Sequence, residues 1–150
     1  YLVILKDLSS VTKNGNLSVL WKRLLRIYMI GFFALIIFYI PFIVFGEKIV
    51  TLLYGVNYIQ IAAAFKFGIL INGLQLAFFI LNTALKTLYK PQAILFAYFI
   101  GSLLTITIGF QFIIKIGFMG AIYGLIISEI SMVLLLLFFF RKYKKSYAHK

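Results

Sequence analysis

The amino-acid sequence predicts an all-α fold, a polytopic transmembrane bundle with about four spanning helices. Three observations predict it, of which the first is composition. Hydrophobic residues make up 64% of the 150 residues and charged residues only 12%, whereas soluble domains have roughly 45–50% apolar and about 25% charged residues. This chain has too little polar surface to cover a water-soluble globule. The other two observations are the lengths of the apolar runs and the placement of the basic residues.

Four apolar runs have the length of a membrane span. They cover residues 27–45, 67–85, 93–114 and 118–140, and Glu129 is the one charged residue within them. A helix needs about 20 apolar residues, each rising ~1.5 Å, to cross a hydrocarbon core about 30 Å thick. Because lipid offers no water to the backbone, each run is expected to form its own helical hydrogen bonds.

The remaining segments are expected to flank this four-helix region, residues 27–140. Residues 1–26 are predicted to be the end of a preceding helix followed by a cytoplasmic linker. Residues 47–60 are predicted to be an external interfacial segment, with a short helix that Gly55 and Asn57 end. Residues 141–150 are predicted to be a basic cytoplasmic tail. Short turns make spans two, three and four antiparallel neighbours.

The basic residues predict the orientation of the chain. Three of the fifteen lie on one side of the predicted spans, namely Lys48, Lys66 and Lys115. The other twelve lie on the opposite side: Lys6, Lys13, Lys22, Arg23, Arg26, Lys86, Lys90, Arg141, Lys142, Lys144, Lys145 and Lys150. Cytoplasmic loops carry the excess of Lys and Arg. The chain is therefore expected in the cytoplasmic (inner) membrane with both of its ends on the cytoplasmic side. Anionic lipids on that side also attract basic segments.

Several function classes do not fit this composition. There is no cysteine, and the single histidine, His149, cannot build a metal cluster. Asp7, Glu47 and Glu129 are the only carboxylates, too few for the acidic, metal-binding loops of a polyisoprenyl-phosphate transferase. No phosphate-binding glycine loop is present. We therefore expect no metal, no cofactor and no enzyme activity. The basic residues are scattered between spans, so no nucleic acid is expected as a partner.

Polar residues in the second span form a stripe. Asn72, Gln75, Asn82 and Lys86 fall within about 80° of arc at 100° per residue. Polar groups in a membrane are costly and usually face the bundle or a water-filled cavity. The stripe is therefore interpreted as the wall of a substrate cavity, with these four residues as candidate ligands of the substrate. The alternatives are hydrogen bonds between helices and, for Lys86, a side chain that extends to the interface.

The fourth span carries small residues on one face and a carboxyl on another. Gly117, Gly120, Ala121, Gly124, Ser128 and Ser131 align within about 100° of arc, which favours close helix packing. Glu129 lies away from that face, near the middle of the span. It is a candidate ion or proton site, or else a hydrogen-bonded packing group. In the third span, Gly101, Ser102, Thr105 and Gly109 are more consistent with packing than with chemistry.

Several short motifs occur together in the same order as in a known transporter family. Residues 52–58, Leu-Leu-Tyr-Gly-Val-Asn-Tyr, are followed by three alanines at 62–64. A helix at 82–91 ends in a basic turn before Pro91, and residues 115–121 read Lys-Ile-Gly-Phe-Met-Gly-Ala. Together these motifs resemble polysaccharide flippases, the translocases of O-antigen and capsule repeat units within the multidrug, oligosaccharidyl-lipid and polysaccharide exporter superfamily.

The resemblance implies more than the residues show by themselves. It implies that the chain is a C-terminal fragment of a two-lobed carrier with about twelve spans, whose missing N-terminal helices are a partner of this segment. It further implies flipping of undecaprenyl-pyrophosphate-linked oligosaccharide by alternating access, in lipopolysaccharide biosynthesis. Membrane lipids and the lipid-linked oligosaccharide would then be its other partners.

Two other functions remain open from the sequence. A cation-coupled multidrug antiporter of the same fold would need a membrane carboxylate, for which Glu129 is the available residue. A non-transporting membrane assembly subunit would not need the polar stripe from Asn72 to Lys86.

Overall fold

The computed structural model describes residues 17–56 and 62–148, and it confirms the all-α fold class. The described helices are α1 (Leu17–Tyr54), α2 (Ala62–Thr87), α3 (Pro91–Leu104), α4 (Phe110–Ile116) and α5 (Phe118–Ala148). A π-helical turn, Thr105–Gly109, joins α3 to α4. Within the described residues, four helical segments are long and apolar enough to cross a membrane: Trp21–Tyr54, Ala64–Thr87, Pro91–Ile116 and Phe118–Lys144. This is the architecture of a multi-pass membrane protein.

Helix α1 is longer than the apolar run at 27–45 that predicts it. Its 38 residues span roughly 57 Å, and it continues through Pro41 and Gly46 to Tyr54. Residues 17–26 are therefore its first turns rather than a linker, and residues 47–54 are its last turns rather than a separate interfacial helix. Gly55 ends the helix with a φ of 89°, as expected. Asn57 and residues 1–16 lie outside the described residues.

Helix α5 is the centre of the bundle, since α2 packs along one side of it and α3 along another. Helix α1 packs against the far side of α2. The two neighbours α2 and α3 touch each other less than each of them touches α5. The best-buried core forms where α2, α3 and α5 meet, and it includes Leu85, Leu88, Ala97, Leu136 and Phe140.

The turn between α2 and α3 closes with a compact cap. Lys90 N–H donates to the Leu85 carbonyl at 3.0 Å and Tyr89 N–H to the Lys86 carbonyl at 3.0 Å, the bond pattern of a Schellman motif. Tyr89 occupies the position with positive φ, 55°, that usually holds glycine. Pro91 then begins α3 at a position where its missing N–H has no helical partner to lose.

The small residues of the fourth span pack as the sequence predicts. A Cβ added at Gly120 would overlap the backbone of Phe112, and one added at Gly124 would lie 2.6 Å from the Cα of Gly109. The backbones of α5 and of the third span therefore touch directly. Gly117 has a different role, because it forms the turn between α4 and α5 with a φ of 65°.

Basic side chains collect at one end of the bundle. Stacking of Trp21 on Phe140, with ring centroids 5.3 Å apart, brings the start of α1 to the end of α5. Lys90 Nζ lies 5.2 Å from the ring centroid of Tyr143, which brings the α2–α3 turn to the same end. We call this the basic end. Among the described residues it carries Lys22, Arg23, Arg26, Lys86, Lys90, Arg141, Lys142 and Lys144.

Candidate functional site

The side chain of Asn72 is used to join α1 to α2. Its Nδ2 donates to the hydroxyl of Tyr39 at 2.7 Å and to the carbonyl of Gly68, one turn earlier, at 2.9 Å. Gly68 makes room for this contact, since a Cβ there would overlap the Tyr39 ring. Of the two interpretations of the polar stripe, the hydrogen bond between helices describes Asn72 better than a free cavity wall does.

Gln75, one turn further along α2, faces α5 instead. Its side chain lies beside the carboxyl group of Glu129, while Gln75 itself remains exposed. One carboxyl oxygen, Glu129 Oε2, is buried and has no hydrogen-bond partner in the part of the chain that the structure describes. The sequence offers Gln75 and Glu129 as separate candidates, one for substrate and one for an ion. The structure brings them together.

Glu129 opens into a cleft between α3 and α5 with a volume of about 190 Å³. We call it the α3–α5 cleft, and its lining residues are Tyr98, Gly101, Ser102, Thr105, Leu125, Ser128, Glu129 and Met132. Tyr98, Ser102 and Thr105 present exposed hydroxyl-bearing side chains from α3 and the π-helical turn. The cleft therefore combines one carboxyl group with several hydroxyls, a set that can bind a polar or cationic ligand.

The inner wall of the cleft is held by hydroxyl hydrogen bonds between the third and fourth spans. Ser128 Oγ donates to the Gly101 carbonyl at 2.9 Å and lies 3.0 Å from Thr105 Oγ1. Tyr98 also packs edge-on against Phe78 of α2, with ring centroids 4.9 Å apart. These contacts fix the α3 side of the cleft relative to Glu129 and α2.

Asn82 and Lys86 continue the face of α2 that Gln75 begins. Asn82 is half-buried, and its Oδ1 has no hydrogen-bond partner among residues 17–56 and 62–148. Lys86 is exposed and belongs to the basic end. Lys86 follows Gln75 by eleven residues, which is a rise of about 16 Å along the helix. Two amide side chains, Gln75 and Asn82, and the ammonium group of Lys86 therefore form a polar row on α2 between Glu129 and the basic end.

Two features of this site are not predicted by the sequence. One is Tyr39, an aromatic residue in an apolar span whose hydroxyl signals a partner but does not identify it. The other is the π-helical turn at Thr105–Gly109. Turns of this kind are frequent at functional sites. In the described part of the chain, no group of three or more His, Cys, Asp or Glu side chains could hold a metal ion.

Comparison of the chain with family models, with curated proteins and with solved structures found no match. The class that the fold defines is a multi-pass helical membrane protein, and one of its helices, α2, carries polar side chains along one face.

Proposed function

We propose that this chain is part of a flippase that moves undecaprenyl-pyrophosphate-linked oligosaccharide repeat units across the cytoplasmic membrane by alternating access. The observation that supports it most is the polar row on α2. It starts where Gln75 lies beside Glu129, passes Asn82, and ends at Lys86 among the basic residues. The motif resemblance supports the same class of substrate.

The chemistry of such a substrate fits the two ends of this row. An undecaprenyl-linked oligosaccharide has an anionic pyrophosphate and a hydroxyl-rich glycan, neither of which crosses hydrocarbon unaided. In the proposal Lys86 meets the pyrophosphate at the cytoplasmic side through charge-assisted hydrogen bonds. The amides of Gln75 and Asn82 and the hydroxyls of Ser102 and Thr105 exchange hydrogen bonds with the glycan. The isoprenoid tail stays in the surrounding lipid.

Complementation of a flippase-deficient bacterium tests the proposal, with surface polysaccharide measured against the amount of protein in the membrane. Lys86→Ala is expected to abolish export at an unchanged protein level, because the cation opposite the pyrophosphate is lost. Lys86→Arg is expected to retain most export, since charge and donors remain. Lys66→Ala, which removes an exposed lysine at the opposite end of α2, is the matched control and should export normally. Full export from Lys86→Ala would refute the role of Lys86.

Asn72 and Gln75 need separate variants, because the structure gives them different partners. Gln75→Leu is expected to reduce export with little change in protein level, since Gln75 is exposed and faces Glu129. Asn72→Leu is expected to reduce the protein level itself, because it breaks the contact with Tyr39. Equal losses of protein level from both variants would indicate that the whole face serves packing.

A cation-coupled multidrug antiporter is the second candidate function, and one observation favours it. Glu129 keeps a carboxyl oxygen without a hydrogen-bond partner among the described groups, next to a polar cleft, which is where a coupling cation would bind. Glu129→Gln separates the two functions. Drug resistance that the unmodified chain confers and Glu129→Gln abolishes, with no restoration of polysaccharide export by the unmodified chain, would support the antiporter and contradict the flippase.

A further inference from the structure

A second concave surface lies on the other side of the bundle from the polar row. It is a groove of about 160 Å³ between α1 and α5, floored by α2. Its lining is Trp21, Leu24, Leu25, Tyr28, Ala77, Ile80, Leu81, Val133 and Leu137, and we call it the α1–α5 groove. Ala77 and Gln75 are about 160° apart around α2. The groove is therefore separate from the candidate transport face.

Basic side chains continue the groove at its open end. Lys22 follows Trp21 directly and precedes Leu25 by three residues, which places it one helical turn beyond Leu25. Arg141 and Lys144 follow Leu137 by four and seven residues, so they extend the same face of α5. Lys22 and Arg141 are exposed, and Lys144 is half-buried.

No acidic side chain offsets these three cations within the described ranges. Glu47 and Glu129 are the carboxylates that residues 17–56 and 62–148 contain. Glu47 lies near the opposite end of α1, and Glu129 lies in the α3–α5 cleft. The stacked rings of Trp21 and Phe140, 5.3 Å apart, connect α1 to α5 where the apolar lining meets the cations. Tryptophan is favoured where apolar and polar parts of a membrane meet.

We propose that the α1–α5 groove binds an anionic glycerophospholipid. One acyl chain lies along the apolar lining between Leu25 and Leu137, and the phosphate group interacts with Lys22, Arg141 and Lys144. The occupant is an amphiphile because the groove is lined by apolar and aromatic side chains, and the cations lie just beyond the end of that lining. It is anionic because three cations follow the lining at this end of the groove and the described residues place no carboxylate there.

Trp21 makes this site directly measurable, since it is the single tryptophan of the chain. The protein is reconstituted in phosphatidylcholine vesicles that contain a small fraction of lipid brominated on its acyl chains. Brominated phosphatidylglycerol and brominated phosphatidylcholine are compared as quenchers of Trp21 fluorescence. The proposal predicts stronger quenching by phosphatidylglycerol at equal mole fraction, and a preference that decreases with salt.

Variants separate the groove from general attraction to an anionic surface. Replacing Lys22, Arg141 and Lys144 together by Gln is expected to remove the preference for phosphatidylglycerol. Each single replacement should lower that preference roughly fivefold. The charge-preserving set Lys22→Arg, Arg141→Lys and Lys144→Arg should keep it. The control replaces Lys48, Lys66 and Lys115, all exposed at the other end of the bundle, by Gln and should also keep it. Ala77→Phe fills the groove without changing charge and should weaken quenching by both lipids.

Three results would overturn the proposal. The first is equal quenching of the unmodified protein by both brominated lipids. The second is a preference that survives the triple Gln variant, which would place the anionic lipid elsewhere. The third is displacement of brominated phosphatidylglycerol by an equimolar amount of undecaprenyl pyrophosphate, which would assign the groove to the transport substrate instead of a structural lipid.

Discussion

The hydrogen bond from Asn72 to Tyr39 joins two helices within their membrane-spanning parts. Its donor–acceptor distance of 2.7 Å is short, and the partners are 33 residues apart in the chain. In lipid, such bonds contribute modestly because each partner finds other partners when the helices separate. The Tyr39 ring occupies the space that a Cβ at position 68 would fill. The bond and this close contact together fix how α1 crosses α2.

Removal of the Tyr39 hydroxyl tests this bond. Tyr39→Phe is expected to lower the free energy of unfolding by about 0.6–2 kcal/mol, because Asn72 Nδ2 keeps only its bond to Gly68. The measurement is unfolding of the purified protein in mixed micelles by a denaturing detergent. Tyr123→Phe, which alters an exposed tyrosine on α5, is the matched control. Equal stability of the Tyr39 and Tyr123 variants would contradict the assigned contact.

Helical spacing predicts that Asn72 and Gln75 share one side of α2, but it does not predict their partners. Asn72 reaches α1 and Gln75 reaches α5, although they lie about 60° apart around the helix. The difference arises because α1 and α5 flank α2 on two sides. A pattern within one helix contains no information about which neighbour occupies each side, so these roles required the structure.

At the level of helices, glycine controls the contact between the third and fourth spans. Gly124 meets Gly109 backbone to backbone, and Gly109 is the last residue of the π-helical turn. The small-residue face of the fourth span predicts this contact, since the spacing by four residues is visible in the sequence. The π-helical turn is not predictable in this way, because the apolar run at 93–114 has no residue that interrupts its helical pattern.

Enlarging Gly124 tests the close approach of these helices. Gly124→Leu is expected to reduce the amount of folded protein in the membrane, because even a Cβ would lie 2.6 Å from the Gly109 Cα. Overpacking of this kind typically costs about 1–3 kcal/mol. The measurement compares folded protein recovered from membranes. Ala34→Leu, at an exposed position on α1, is the control and should accumulate normally. Normal accumulation of Gly124→Leu would show that this face does not pack.

Helix α1 extends at both ends beyond the apolar run that hydropathy identifies. An apolar run marks the part of a helix that lies in hydrocarbon, but the backbone continues in helical form beyond it on both sides. Residues 17–26 and 47–54 contain charged side chains that are stable on a helix in contact with water or headgroups. Their helical state therefore depends on local propensity and on packing such as that of buried Val50, which a hydropathy pattern does not report.

On the scale of the whole molecule, charge divides the bundle into two unlike ends. The basic end gathers the described cations of the α1 start, the α2–α3 turn and the α5 end, while Lys48, Lys66 and Lys115 lie at the other end. The positive-inside rule predicts that the basic end faces the cytoplasm. Both the polar row on α2 and the α1–α5 groove begin there, so the orientation of the chain determines which compartment each of them faces.

Single-cysteine variants test this orientation without background, because the chain has no cysteine of its own. Cysteine at position 48 or 115 is expected to react with a membrane-impermeant thiol reagent added outside intact cells. Cysteine at position 90 or 142 is expected to react only after the membrane is permeabilised. The reverse pattern would place the basic end outside and would contradict the predicted topology.

A translocation path along α2 requires that water reach the polar row between Gln75 and Lys86. The direct measurement is the reactivity of cysteine at positions 75 and 102 in membranes toward a small, water-soluble thiol reagent, with reagent available on the basic side. Leu134→Cys is the comparison, because Leu134 is exposed on another face of α5, about 140° from Glu129. We predict that Gln75→Cys and Ser102→Cys react while Leu134→Cys does not. If Gln75→Cys and Ser102→Cys are as unreactive as Leu134→Cys while Lys86→Cys reacts, the polar row is closed to water and is not a translocation path.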